Sequence, residues 1–200
     1  MEERALKTLK EILTARGFQS ETFDSVGSSI DQTKMYTFGG VLIIFSTKSR
    51  VAERDLNTFI EFSKENGYSH GTIIVSMATS SETVVSALRQ YISNPENPIV
   101  QIFDIRHLQF NITKHVKVPK HRIVPPAEVA GVLKECNVET PSLFRKLDSQ
   151  DAMAKWIGAR PADIIEVTGM CETSGENKHY LYCVANVKNG QPVQLADTEL

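Results

Sequence analysis

The 200-residue sequence has one tryptophan, three cysteines, no long apolar run and no block of charge of a single sign. Its most apolar stretch, Val41-Leu42-Ile43-Ile44-Phe45, is far shorter than the roughly 20 residues a membrane-crossing helix needs. The opening Met1-Glu2-Glu3-Arg4 is acidic and enters an amphipathic pattern, which is not the form of a secretory signal. Cys136, Cys171 and Cys183 are odd in number and lack paired metal-ligand spacing. Reduced thiols in an intracellular compartment are the expectation. Lys and Arg total 22 against 24 Asp and Glu, for a net charge of -2, so no global field draws the chain to nucleic acid. What remains is an ordinary globular composition, 41% hydrophobic and 23% charged. A chain of this length holds one large domain or two small ones, each able to bury a core.

Hydrophobic spacing predicts a helix over 2–16, with Leu6, Leu9, Ile12 and Leu13 on one face and Gly17 at its stop. Val41 to Phe45 reads as a buried strand, followed by a helix through Leu56, Phe59 and Ile60 that ends at Asn66-Gly67. Thr72 to Val75 is a second buried strand. Thr79-Ser80-Ser81-Glu82 fits a capping box for a helix carrying Val84, Val85, Leu88 and Ile92. Ile99 to Ile105 is a third strand. Strands and helices in this alternation predict an α/β layer, partly parallel, over residues 1–113.

Lys117-Val118-Pro119-Lys120-His121 and Pro125-Pro126 interrupt regular structure and mark a linker over 114–126. A small α+β domain over 127–187 follows, with helices first and strands after. Its elements are a helix from Ala127 to Cys136, a short helix or turn at Leu143, Phe144 and Leu147, and a helix capped by Asp148 or Ser149 and stopped by Gly158. Two strands then run from Ile164 and to Val184, joined through Glu172-Thr173-Ser174-Gly175. Residues 188–200 form a polar tail.

Between Asp104 and Glu128 no acid occurs, while Arg106, Lys114, Lys117, Lys120 and Arg122 do. This basic strip reads first as a solvated connector, then as a dock for an acidic partner, then as a direct phosphate contact. A magnesium-dependent nuclease is the main catalytic alternative, with Asp24 or Asp31 ahead of Ser46-Thr47-Lys48. Ser46, however, stands where such a site needs its second carboxylate. His107, His115 and His121 share no helical face and lack neighbouring Cys or acid for a tetrahedral metal set. Ser80 and Ser81 suit capping better than nucleophilic chemistry. Gly39-Gly40 precedes a strand, where a phosphate loop would follow one, and so reads as a turn. Trp156 reads either as core or as an interface anchor.

Four phrases in register carry a resemblance: Asn111-Ile112-Thr113-Lys114-His115, Val118-Pro119-Lys120-His121, Asp151 to Gly158, and Glu172-Thr173 with Gly175. In these the chain resembles the fifth subunit shared by the nuclear RNA polymerases and the archaeal counterpart of that subunit. The resemblance implies an N-terminal jaw domain with an endonuclease-like layer and a C-terminal assembly domain. It also implies a non-catalytic role in a multisubunit DNA-directed RNA polymerase, without cofactor, metal, small-molecule substrate or membrane. The partners it implies are the largest polymerase subunit, other polymerase subunits and, weakly, downstream duplex DNA. Trp156, Glu172, Thr173, Gly175 and Tyr180 are the subunit-interface expectations. Lys117, Lys120, His121 and Arg122 are those of the connector, and Lys48, Arg50 and Arg54 those for DNA. A free-standing nucleic-acid-binding regulator is the remaining alternative.

Cys171, Ser174 and Glu176 depart from the family's Ser-Glu-Thr-Ala-Gly-Arg turn, and Asp151-Ala152 from its Asp-Pro. These departures suggest a divergent member, with a large cytoplasmic DNA virus of the African swine fever kind as the leading source. The setting would then be the viral factory, or the nucleus for a cellular member.

Overall fold

The N-terminal periodicity folds, in the computed structural model, into α1 (Glu2–Ala15), which buries Ala5, Leu9, Ile12 and Leu13 completely. Leu6 is only half-buried, so the buried face is rotated toward Ala5 and Thr8 from the one expected. The structure describes residues 1–27, 30, 33–171 and 175–186, and the chain divides into two units, Met1–Asn111 and Ile112–Leu200. The elements of the first unit after α1 are β1 (Asp24–Val26), β2 (Thr33–Phe38), β3 (Val41–Ser46), α2 (Glu53–Glu65), β4 (Thr72–Ser76), α3 (Glu82–Ser93) and β5 (Val100–Asp104).

One five-stranded sheet runs in the order β1-β2-β3-β4-β5, antiparallel through β3 and parallel from β3 to β5. The short strands β1 and β2 went unread in the sequence because Thr33 to Phe38 mixes polar and apolar residues without a clean period. Gly39 and Gly40, both at positive φ, turn β2 into β3 with Phe38 opposite Val41. This is the geometry of a two-residue hairpin turn.

Every residue of β3, β4 and β5 is buried, as strands covered on both faces must be. One face carries Leu42, Ile44, Ile74, Val100 and Ile102 against Leu56, Phe59 and Ile60 of α2 and Val84, Leu88 and Ile92 of α3. Full burial of each such side chain is worth about 1.5–3 kcal/mol. The opposite face belongs to α1. Glu2 near its start accepts from the Tyr36 hydroxyl at 3.3 Å, and Arg16 at its end donates to Gln101 Oε1 at 2.6 Å. Tyr36 and Gln101 both have the strand parity opposite to the α2–α3 cluster.

The cap of α3 is Ser81, whose hydroxyl accepts from the Val84 N–H, not the Thr79 of the expected box. Thr79 donates instead to Asp104.

The second unit contains β6 (Lys120–Ile123), α4 (Pro126–Glu135), β7 (Arg145–Asp148), α5 (Ala152–Ile157), β8 (Ile164–Cys171) and β9 (Gly175–Val184). Its sheet runs β6-β8-β9-β7, with only the β7–β9 pair parallel. Part of the expected linker is therefore an edge strand. Lys120 to Ile123 alternates in burial, and pairing with β8 outweighs the breaks at Pro119 and Pro125 on either side. Strands and helices interleave, unlike the helices-then-strands order expected. Leu147 belongs to β7, while Leu143 ends a short 3-10 turn.

Asp151, not Asp148 or Ser149, caps α5, accepting from the Met153 N–H at 2.8 Å. Gly158 at φ +77 stops that helix in the left-handed conformation. Ala154, Ala159, Ile165, Val167, Leu181 and Cys183 form one cluster, on the α5 face of the sheet. Val124, Val132 and Ile164, with Phe144, Tyr180 and Tyr182, form another on the α4 face. The expected polar tail lies outside the described residues.

Candidate subunit-docking surface

The β8–β9 hairpin outruns the helices that cover it. Neither apolar cluster reaches beyond Val167 on β8 or Tyr180 on β9. Beyond that line Gly175 to His179 are all exposed, and Met170 is 86% exposed. The edge strand β6 covers β8 only as far as the Lys120–Thr168 pair. Pairing stops there because Pro119 has no N–H to continue the ladder. Pro119 still lies alongside β8, its Cβ within 3.5 Å of where a Cβ on Gly169 would stand.

Upstream of Pro119 the chain is shaped by its own short contacts. The Val118 N–H donates to the His115 carbonyl at 2.9 Å, and the Lys117 N–H to His115 Nδ1 at 3.2 Å. His121 Nδ1 sits 2.9 Å from the Pro119 carbonyl. Between this segment and the outer hairpin lies a groove of about 810 Å³. Val118, Pro119 and Met170 give it an apolar lining, and Lys117, Lys120 and Glu176 give it charge. Val116 at its margin is 99% exposed.

One row inward, charge is already satisfied. Arg122 on β6 faces Glu166 on β8 and Tyr180 on β9 in a single register row. Its Nη2 donates to Glu166 Oε2 at 2.8 Å and to Glu128 Oε2 of α4 at 2.9 Å. The guanidinium hydrogen bond holds the Glu166 carboxyl below the usual range, while Glu128 and then Glu166 push the Arg122 pKa up. Burial first, then the nearby Glu135 and Glu166, raise the Tyr180 hydroxyl. Arg122 therefore ties β6, β8 and α4 together, and its charge is spent inside the unit.

The connector expectations thus separate. Lys117 and Lys120 are exposed and line the groove, whereas His121 is half-buried and Arg122 is a clamp. Among the interface expectations, Trp156 is only 5% exposed, so its indole is part of the core and not of the surface. Tyr180 is half-buried, its ring centroid 5.8 Å from that of Phe144. Gly175 opens β9 at φ +71. Glu172 and Thr173 lie outside the described residues. Sequence reasoning missed Val116, Met170 and the stretch Glu176 to His179 as surface features. The available signal was a lone methionine in a strand that turns polar after Val167.

In the first unit, Lys48 donates to Asp55 Oδ1 at 2.7 Å, while Arg50 and Arg54 are exposed. Ser46 is buried and accepts from the Lys48 backbone N–H, which leaves the nuclease alternative without support. Asp31 lies outside the described residues. Asp104 is held at a pKa of about 2 by its Arg106 partner, whose Nη2 and Nε both donate to it. Among the described residues no group of His, Cys, Asp and Glu has the arrangement of a metal site, and no helix is long and apolar enough to cross a membrane.

Comparison with known proteins points to one family. A family model described as the C-terminal domain of RNA polymerase Rpb5 matches residues 110–183. The DNA-directed RNA polymerase subunit Rpo5 of Pyrococcus abyssi is 38% identical over 72 residues, covering 36% of this chain and 87% of the relative. Its namesake in Aeropyrum pernix is 38% identical over 77 residues, 38% of this chain and 84% of the relative. That of Methanosarcina barkeri is 35% identical over 72 residues, 36% of this chain and 91% of the relative.

Proposed function

The chain belongs to the Rpb5/Rpo5 family of RNA polymerase subunits, and from that premise we propose that it is a non-catalytic subunit of a multisubunit DNA-directed RNA polymerase. The single observation that carries this reading is the family match across residues 110–183, which takes in β6 through most of β9. The second unit is then an assembly domain that docks on the largest subunit, and the first unit a jaw lying near downstream DNA. Its location follows the polymerase.

Exposed Arg50 and Arg54, with Lys48 beside them, are the proposed phosphate contacts of the jaw. Contacts of this kind give affinity without sequence preference and weaken as salt rises. Residues 1–120 hold 14 basic against 13 acidic residues, so the free chain should bind duplex DNA feebly. The departures at Ala152, Cys171, Ser174 and Glu176 support the finer proposal of a source among large cytoplasmic DNA viruses that encode their own polymerase.

The test is affinity purification of the tagged full chain from its native source at moderate salt, followed by mass spectrometry. Stoichiometric recovery of the two largest polymerase subunits is the expected result. Recovery of the chain alone, at good expression, overturns the reading.

A further inference from the structure

Resting on the assembly reading, we propose that the groove between residues 116–120 and the outer β8–β9 hairpin holds an extended acidic segment of a partner polymerase subunit, its apolar side chains against Met170 and Val118. Three observations carry this. The hairpin is built to stand clear of its own helices: Met170 is 86% exposed and Val116 99%, both at one groove. Large apolar side chains left in water beside a cleft mark a surface awaiting a partner.

Charge then selects the partner. Among the described residues neither Lys117 nor Lys120 has an ion-pair partner, while the neighbouring Arg122 is fully engaged by Glu128 and Glu166. Lys178 stands in the same register row as Lys120 and Thr168, outside the groove lining. The cations nearest the groove are thus the unspent part of the basic strip. A segment bearing carboxylates complements them and is steered to them.

Shape selects an extended segment over a helix. The lining is the edge of β8 and a turn at 115–118 that leads through Pro119 into β6, and pairing along the β8 edge ends at Thr168. An added chain running beside β8 would meet polar edge groups there, as in strand-addition recognition. Nucleic acid is disfavoured because the lining is apolar at Val118, Pro119 and Met170 and carries Glu176, which repels phosphate.

The test uses the tagged full chain expressed in its native source, unaltered and as the triple variant Lys117→Glu, Lys120→Glu, Met170→Asp. Lys134→Glu on α4, outside the groove, controls for charge reversal. Thermal unfolding of each purified chain checks that these substitutions leave the fold intact. The expected result is roughly tenfold lower recovery of polymerase by the triple variant than by the unaltered chain or the control. In the assembled complex, a carbodiimide that joins lysine amines to carboxylates should link Lys117 or Lys120 to Asp or Glu within one stretch of a partner subunit.

Undiminished recovery by the triple variant overturns this proposal and leaves the assembly reading standing. So does equal loss with Lys134→Glu, or an intact complex in which neither lysine links to another subunit, whereas recovery by the unaltered chain that vanishes on nuclease treatment overturns the assembly reading and the groove proposal together. If the unaltered chain recovers no polymerase, the assembly reading fails and the groove proposal falls with it.

Discussion

Arg122 and Glu166 stand directly opposite each other on β6 and β8, joined by a 2.8 Å hydrogen bond from Nη2 to Oε2. The same guanidinium reaches Glu128 on α4, so one side chain fixes the edge strand to its sheet and the covering helix to both. Replacing it with alanine leaves Glu166, whose side chain is 13% exposed, without its cation. The expected outcome for Arg122→Ala is a lower unfolding midpoint and a smaller dependence of stability on acid pH. Glu166 titrates below its ordinary value of 4.5 in the folded chain. Its contribution is therefore complete above that value and is lost as pH falls through the folded one. Denaturant unfolding of both proteins from about pH 7 to about pH 3 checks this, and parallel curves would refute it.

Asp104 and Arg106 make a second acid-sensitive pair, at the end of β5. The Asp104 carboxyl is lowered from 3.8 to about 2, chiefly by the Arg106 hydrogen bond. The stability it supplies is present above 3.8 and disappears as pH falls toward 2. Arg106→Ala should raise the Asp104 pKa, read from its carboxyl carbon resonance, and move acid unfolding of the protein to higher pH. An unchanged resonance titration would remove Arg106 as the cause.

Ala162 occupies the third position of the turn Arg160-Pro161-Ala162-Asp163 at φ +80, closed by the Asp163 N–H donating to the Arg160 carbonyl. Proline followed by positive φ defines a type II turn, whose third position favours glycine. Left-handed backbone costs alanine about 1–2 kcal/mol, part of which glycine returns through a more disordered unfolded state. Ala162→Gly should therefore stabilise the chain by about 0.5–1 kcal/mol, measurable by urea unfolding. A destabilised variant would mean the turn does not hold that strain.

Cys183 is completely buried and its thiol is pushed up to about 12, first by burial and then by Asp163. Cys136, at the end of α4, is exposed. The thiolate is the reactive form, so iodoacetamide should modify Cys136 in the native protein and Cys183 only after unfolding. Peptide mapping by mass spectrometry after timed alkylation distinguishes the two. Equal native rates would show that the second sheet opens readily.

Leu88 is fully buried among Ile44, Ile74 and Phe59. Leu88→Ala should cost about 2–5 kcal/mol through lost burial and the cavity left behind. Calorimetry is the check, and a loss below about 1 kcal/mol would mean that the α2–α3 layer collapses around the gap.

Elements whose burial is written into local pattern were legible without a structure. Val41 to Phe45 and Thr72 to Val75 are buried on both faces, so their β-branched runs announce themselves, and Leu9, Ile12 and Leu13 announce α1 by spacing. The Gly39-Gly40 turn was legible for the same local reason. The family phrases around Val118-Pro119-Lys120-His121 and Asp151 to Gly158 were legible as well, and the match over 110–183 rests on the same segment.

The edge strands were not. β6 and β7 have four residues each, with mixed burial, and exist because β8 and β9 offer ladder partners far away in sequence. Capping likewise needed the fold. Thr79 is drawn to Asp104 on a neighbouring strand, which leaves Ser81 to cap α3.

The sequence by itself determined the α/β alternation, the subunit family and the presence of a basic strip, because each depends on residue order and type alone. Only the tertiary structure decided which of those cations are spent and which are open. Arg122 finds Glu128 six residues on and Glu166 forty-four residues on, whereas Lys117 and Lys120 face a groove and pair with no carboxylate among the described residues. A charge is neutralised by what stands within a few ångströms of it, and that neighbourhood is set by strand register and not by position along the chain.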